Sequence, residues 1–316
     1  MKKLTIILTA LSLIFTMSIS AQDLNDAGKA YNKGIGFAKE NKTMEAIQSY
    51  QKCANIAGEL GDVGEGLKVK AETQITSLYM KLGIDAYKAK TWDTAISLFV
   101  LSSDYAITAG KSESVVKANN YIATSYAARG NGLYKEKKYD DALASFEKAL
   151  EYNPEYFKAY YGKAICYNKT ANTEGLEEAV NKVIELGGED KTVEKSTTMA
   201  AKYFLKLSNK ALQVENYGEA AMMAKKCIEY NYLETTAYYI QVVAHNNLEN
   251  WDEAIKNAEY GLKTEKDDKS NLYFELGRAY EGKGDATKAC ESYKNVSSGP
   301  NVDAANYQRN TVLNCN

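Results

Sequence analysis

The chain has 316 residues, 45% apolar and 25% charged, with 39 basic against 41 acidic side chains. This is the composition of a folded protein, and its near-balanced charge lacks the basic excess that a general nucleic-acid or acidic-lipid binder needs. Only 2 prolines interrupt the chain, so long helices are allowed, while 25 tyrosines against 7 phenylalanines and 2 tryptophans require an explanation.

Residues 1–21 read as a signal peptide. Lys2 and Lys3 form a positive start, Leu4 to Ile19 an apolar stretch, and Ser18-Ile19-Ser20-Ala21 a small-residue cleavage site before Gln22. The apolar run is short for a membrane span and has no charged stop-transfer flank. No cysteine follows the cleavage site, so a lipid anchor is not expected. Taking Lys2 and Lys3 from the 39 basic residues leaves 37 against 41 acidic, a net charge of −4. The Ala21-Gln22 junction resembles signal peptides of Gram-negative Bacteroidota. That resemblance implies export to the periplasm or the outer membrane.

Residues 22–316 carry an internal repeat, which becomes plain when each unit is numbered so that a recurrent alanine is position 20. The first unit, near 27–60, has Gly34, Phe37, Ala46 and Tyr50. The second, near 76–109, has Tyr79, Leu82-Gly83, Ala86, Ala95 and Phe99. The third, near 123–156, has Tyr126, Gly130, Leu133, Ala142, Phe146, Ala149 and Pro154. The fourth, near 157–190, opens with Tyr160, Ala164 and Tyr167, and reaches Ala179 and Val183 only if an insertion is placed around Thr170–Gly175. The fifth, near 201–234, has Phe204, Leu207, Ala211, Ala220, Ala224 and Cys227. The sixth, near 235–268, has Tyr238, His245, Ala254 and Ala258. The seventh, near 270–300, has Tyr273, Leu276-Gly277, Tyr280, Ala289 and Tyr293.

Positions 4, 8 and 11 share one face of a first helix, and positions 20, 24 and 27 one face of a second. Small residues at 8 and 20 let the two helices approach, and larger ones at 4 and 24 fill the space around the contact. Trp92, Tyr139, Tyr217 and Trp251 recur at position 17, beside Asp, Asn, Thr or Gly residues suited to a helix start. Most tyrosines thereby become repeat-core residues. The longer connections 56–71 and 107–118 either extend the flanking helices or form loops, and Gly58, Gly61, Gly64 and Gly66 favour a loop for the first. Residues 302–313 read as a cap helix, which a repeat array needs at its end.

These motifs resemble the tetratricopeptide-repeat family over nearly all of residues 22–316. The resemblance implies an all-α, right-handed superhelical solenoid of about seven helix pairs with a C-terminal cap helix. It also implies a concave groove lined by positions 2, 5, 9, 12 and 13 of each first helix. On this register the partner-binding residues are Tyr87, Asn131, Tyr134, Lys158, Tyr161, Lys202, Asn209, Tyr239, Asn246, Phe274 and Arg278, with Tyr31 and Asn247 beside them. Asparagine can pair with both backbone groups of an extended peptide, and tyrosine adds rigid area with a polar tip. Some family members clamp a peptide's terminal carboxylates with Lys and Asn. Here Asn131, Lys202 and Lys206 fit that pattern, but Ala127 and Gly162 replace two of its members, so a chaperone-tail ligand is not expected.

The remaining chemistry-bearing residues have structural readings. His245, the lone histidine, falls at core position 11. Cys53 and Cys227 fall at core position 27 and act as small hydrophobes. Cys290 and Cys315 either pair, if the cap folds back in an oxidising compartment, or leave Cys315 exposed. Asp140-Asp141 and Glu177-Glu178 sit where acids complement a helix start. The Gly58–Gly66 cluster lacks the Lys-Ser/Thr of a phosphate loop. No cofactor, metal site or catalytic residue is expected. The reading is a non-catalytic interaction scaffold for a protein or peptide. The alternative is an exported glycan- or peptide-binding protein that uses an aromatic-lined groove.

Overall fold

The computed structural model describes residues 22–315, and the signal-peptide reading of residues 1–21 lies outside them. The described residues are all-helical and form seven helix hairpins. The pairs are α1 (22–39) with α2 (Thr43–Glu59), α3 (Asp62–Lys88) with α4 (Trp92–Thr108), and α5 (Ser112–Lys135) with α6 (Tyr139–Tyr152). They continue with α7 (Phe157–Thr170) and α8 (Thr173–Glu185), α9 (Asp190–Gln213) and α10 (Tyr217–Tyr230), α11 (Thr235–Asn247) and α12 (Trp251–Thr264), and α13 (Ser270–Gly282) and α14 (Ala286–Lys294). A short α15 (Val302–Tyr307) runs into a π-helical turn, Gln308–Val312. The described residues divide into two compact bodies that part between Gly162 and Lys163.

Every hairpin closes with the same turn. One residue, two places before the second helix, takes positive φ: Asn41, Lys90, Lys137, Ala171, Glu215, Glu249 and Gly284. The next N–H donates back to the carbonyl of position 11, as in Thr91 to Ala86 at 3.0 Å and Asn250 to His245 at 2.9 Å. This is a Schellman closure, which satisfies carbonyls left open at the helix end. It fixes the spacing from the positive-φ residue to position 20 at five residues throughout, so the insertion expected around Thr170–Gly175 is absent. Leu176, fully buried, takes position 20 of the fourth unit in place of Ala179. The sequence reading missed this because it required a small residue there.

Left-handed backbone costs a residue with a Cβ about 1–2 kcal/mol, and only the last hairpin uses glycine. Lys90→Gly and Glu249→Gly are therefore expected to stabilise, each by roughly 0.5–1 kcal/mol once glycine's larger unfolded-state entropy is deducted. A urea midpoint that falls in either variant would refute this.

The Gly58–Gly66 loop does not form. α2 runs to Glu59, a two-residue turn at Leu60 and Gly61 follows, and α3 begins at Asp62. Gly61 supplies the positive φ of 58°. Gly64 is needed because a Cβ there would strike the Ala57 carbonyl. α3, α5 and α9 thus have 27, 24 and 24 residues, starting well before the unit boundaries at 76, 123 and 201, whereas α11 and α13 have 13. In these three long units the position 4 aromatic stacks on a tyrosine at position 30: Tyr79 on Tyr105, Tyr126 on Tyr152, and Phe204 on Tyr230. Two of these tyrosines reach back to the preceding unit's second helix. Gln51 donates to the Tyr105 hydroxyl at 2.9 Å, and the Tyr230 hydroxyl donates to Asn181 at 2.9 Å. The tyrosine surplus is therefore partly an inter-repeat latch at position 30, outside the register of positions 4, 8, 11, 17, 20, 24 and 27.

The core exchanges volume between positions 8 and 24. Gly34, Gly83, Gly130 and Gly277 each lie against a position 24 ring, of Tyr50, Phe99, Phe146 and Tyr293. Where position 8 grows to Ala164, Ser208 or Val242, position 24 shrinks to Val180, Ala224 or Ala258, all buried.

The α3 extension buries one carboxyl. Glu72 is 6% exposed, and its Oε2 has no hydrogen-bond partner. Burial raises its pKa above the ordinary 4.5, and Lys68 and the Thr108 hydroxyl only partly offset this. Below pH 4.5 the group is protonated whether folded or not. As pH rises past that value the unfolded chain ionises first, so the native state loses stability through the window up to the folded pKa. Glu72→Gln is expected to remove this slope and to gain about 1 kcal/mol at neutral pH. Thermal melts of both proteins at pH 4 and pH 7 test it, and an equal loss in both between those pH values would contradict it.

Candidate functional site

The expected partner-binding residues divide between the two bodies. In the first, Tyr87 packs edge-on against Trp92 with centroids 5.2 Å apart, and Tyr134 lies 5.7 Å from Tyr139. The pairs are positions 12 and 17, so the hairpin turn itself brings the rings together. Burial pushes the Tyr87 phenol up, Tyr156 adds to this, and Lys158 opposes it. Lys158, from the start of α7, therefore lies in the field of Tyr87. Tyr161 is half-buried, and Asn131 is exposed. Gly162 has a packing cause: a Cβ there would collide with the ring of Phe146. The departure from a clamp pattern at that position follows from the core.

In the second body Lys202 is exposed, and Asn209 turns back on its own helix, donating to the Leu205 carbonyl at 3.0 Å. The other four converge. Asn246 does not stand on an open face. It is 2% exposed and donates to both the backbone oxygen and Oε2 of Glu275, at 2.9 and 2.8 Å. α11 and α13 are thereby joined, and the side chain is held by the fold rather than offered to a ligand. Arg278 pairs with the same carboxylate at 2.9 Å and keeps its side chain 39% exposed. Burial, then the Glu275 charge, push the Tyr239 phenol up, while Arg278 opposes this. Phe274 leans on Tyr293 with centroids 5.7 Å apart.

Of these four, Phe274 and Arg278 line a cleft of about 640 Å³, together with Glu281, Trp251, Tyr293 and, from the π-helical turn, Gln308. The Tyr293 hydroxyl donates to Glu281 at 2.8 Å. Sequence reasoning missed Glu275 and Glu281. The signal available was the Glu275/Arg278 pair, spaced three apart on one helix. Gln308 had none, because its place depends on how the chain end folds back.

The thiols are structural. Cys53, Cys166 and Cys227 are buried, and burial pushes Cys166 up to about 11 and Cys227 up to about 12. Cys290 and Cys315 form a disulfide with Cα atoms 5.8 Å apart. His245 is half-buried, burial lowers its pKa, and its Nδ1 has no partner. Among the described residues no group of three His, Cys, Asp or Glu side chains could hold a metal ion. No helix among them is long and apolar enough to cross a membrane.

Seven helix hairpins with one closure and one volume rule define an all-helical repeat protein, and residues 133–192 match the model of a tetratricopeptide repeat family. No curated protein matches the chain. Among solved structures it is similar to YrrB, described as a TPR protein with an unusual peptide-binding site, at 21% identity over 55% of this chain and 84% of that one, with a TM-score of 0.32. It is also similar to MamA, at 20% identity over 59% and 93%, with a TM-score of 0.33. PilF of Pseudomonas aeruginosa matches at 13% identity over 62% and 86%, with a TM-score of 0.32.

Proposed function

We propose that this protein is an exported, non-catalytic interaction scaffold that binds a protein or peptide partner on its first-helix faces, in the periplasm or at the outer membrane. One observation carries the reading: a hairpin repeated seven times whose chemistry is spent on closure and packing, with the Tyr87–Trp92 and Tyr134–Tyr139 ring pairs, exposed Asn131 and exposed Lys158 and Lys202 on or beside its first helices. The export address rests on residues 1–21. Proteins with such repeats present surface rather than a closed pocket, and the affinity comes from a few aromatic and Arg anchors.

The test uses residues 22–316, immobilised and exposed to periplasmic extract from the source cells. A saturable protein partner is expected, and it weakens in an Asn131→Arg, Lys202→Glu variant whose melt is unchanged. Capture unaffected by that variant would move binding off these faces. The absence of any saturable partner would defeat the scaffold reading.

A further inference from the structure

The cleft beneath the C-terminal turn carries more than surface. Its charges do not cancel: Arg278 is already paired to Glu275, whereas Glu281 has no cationic partner among the described residues and accepts only the Tyr293 hydroxyl. Gln308 Oε1, in the lining of the cleft, is buried without a donor. Two aromatic side chains, Phe274 and Trp251, complete the lining. An unfilled acceptor, a carboxylate without a cationic partner and ring faces together suit a cation carried on an apolar stem. An anion would meet Glu281 and the Gln308 acceptor oxygen.

We infer that this cleft is a receptor for a lysine or arginine side chain presented by an extended segment of a partner protein, with Glu281 as counter-ion, Gln308 as acceptor, and Phe274 and Trp251 as the apolar walls. The inference rests on the scaffold reading and adds the partner's chemistry at one place. The cleft needs the chain end in position, because Gln308 belongs to the turn that the Cys290–Cys315 disulfide ties to α14. That gives the site a second, independent handle.

The sequence contains 2 tryptophans, so Trp92→Phe leaves Trp251 as the only indole reporter. Residues 22–316 with that substitution are titrated with blocked glycine pentapeptides carrying arginine, lysine, glutamate or glutamine at the centre. Saturable changes in Trp251 emission are expected with the arginine and lysine probes. Binding is expected to weaken about tenfold in Glu281→Gln, which keeps the Tyr293 bond, and for the glutamine probe. Reductant should abolish the response while far-UV dichroism is kept. A glutamate probe that binds as tightly as arginine, an unchanged Glu281→Gln titration, or no response to any probe overturns the inference. Partner capture that persists alongside such a result leaves the scaffold reading standing, whereas loss of capture in the extract experiment removes both.

Discussion

Gly162→Ala is expected to destabilise the first body by about 2–3 kcal/mol, which is large for one methyl group. The cause is Phe146, fully buried at position 24 of the third unit. Its ring is held on one side by Gly130, where an added Cβ would sit 2.9 Å from the ring, and on the other by Gly162, where it would sit closer still. A ring faced by backbone on both sides has no rotamer to move into, and the gain in helix propensity from Gly to Ala, about 1 kcal/mol, does not offset the clash. Phe146→Ala should cost more, about 3–5 kcal/mol, through lost transfer energy and the cavity left behind. The combination is the diagnostic experiment. With the ring gone, the alanine at 162 has room, so its cost should give way to the propensity gain of about 1 kcal/mol and leave a coupling of about 3 kcal/mol between the two sites. Urea titrations of the four proteins measure this, and additive losses would show that the steric account is wrong.

This example also shows what was legible beforehand. The recurrence of Gly83, Gly130 and Gly277 at position 8 with Phe99, Phe146 and Tyr293 at position 24 is local and periodic, so the hairpins could be read from spacing alone. The contact of Gly162 with Phe146 joins two units and has no period to announce it. The same division explains the other differences. The Gly58–Gly66 cluster looks like a loop by composition, but one glycine suffices for the turn, and Gly64 serves close approach to Ala57. Leu176 hides the fourth unit's register because the position tolerates a larger residue when its neighbours shrink. At the candidate site, position 12 correctly places Asn246 near the helix end. Whether it faces outward is decided by Glu275, on another helix 29 residues away, and no single-helix pattern holds that information.

Breaking the Cys290–Cys315 disulfide is expected to release the chain end without unfolding the repeats. Ala305 is the only buried residue of α15, and the π-helical turn has none. Val302 and Leu313 are partly buried against Tyr293 and Val296. That little apolar contact falls short of the cost of ordering about a dozen residues at roughly 1–2 kcal/mol each. The cross-link, at a sequence separation of 25, removes about 3–4 kcal/mol of chain entropy from the released state in the loop-closure model. A Cys290→Ser, Cys315→Ser protein, or the native chain in reductant, should therefore lose amide protection across residues 302–313 and keep it in α9 to α12. Alkylation supplies a separate readout. With Cys53, Cys166 and Cys227 buried, the oxidised native protein should take no adduct, and the reduced native protein should take two, at positions 290 and 315. Full protection of 302–313 in the double serine variant would show that packing alone holds the cap. The loss of Trp251 response in reductant would then need another cause, so the two experiments constrain each other through a single structural element, the turn that carries Gln308.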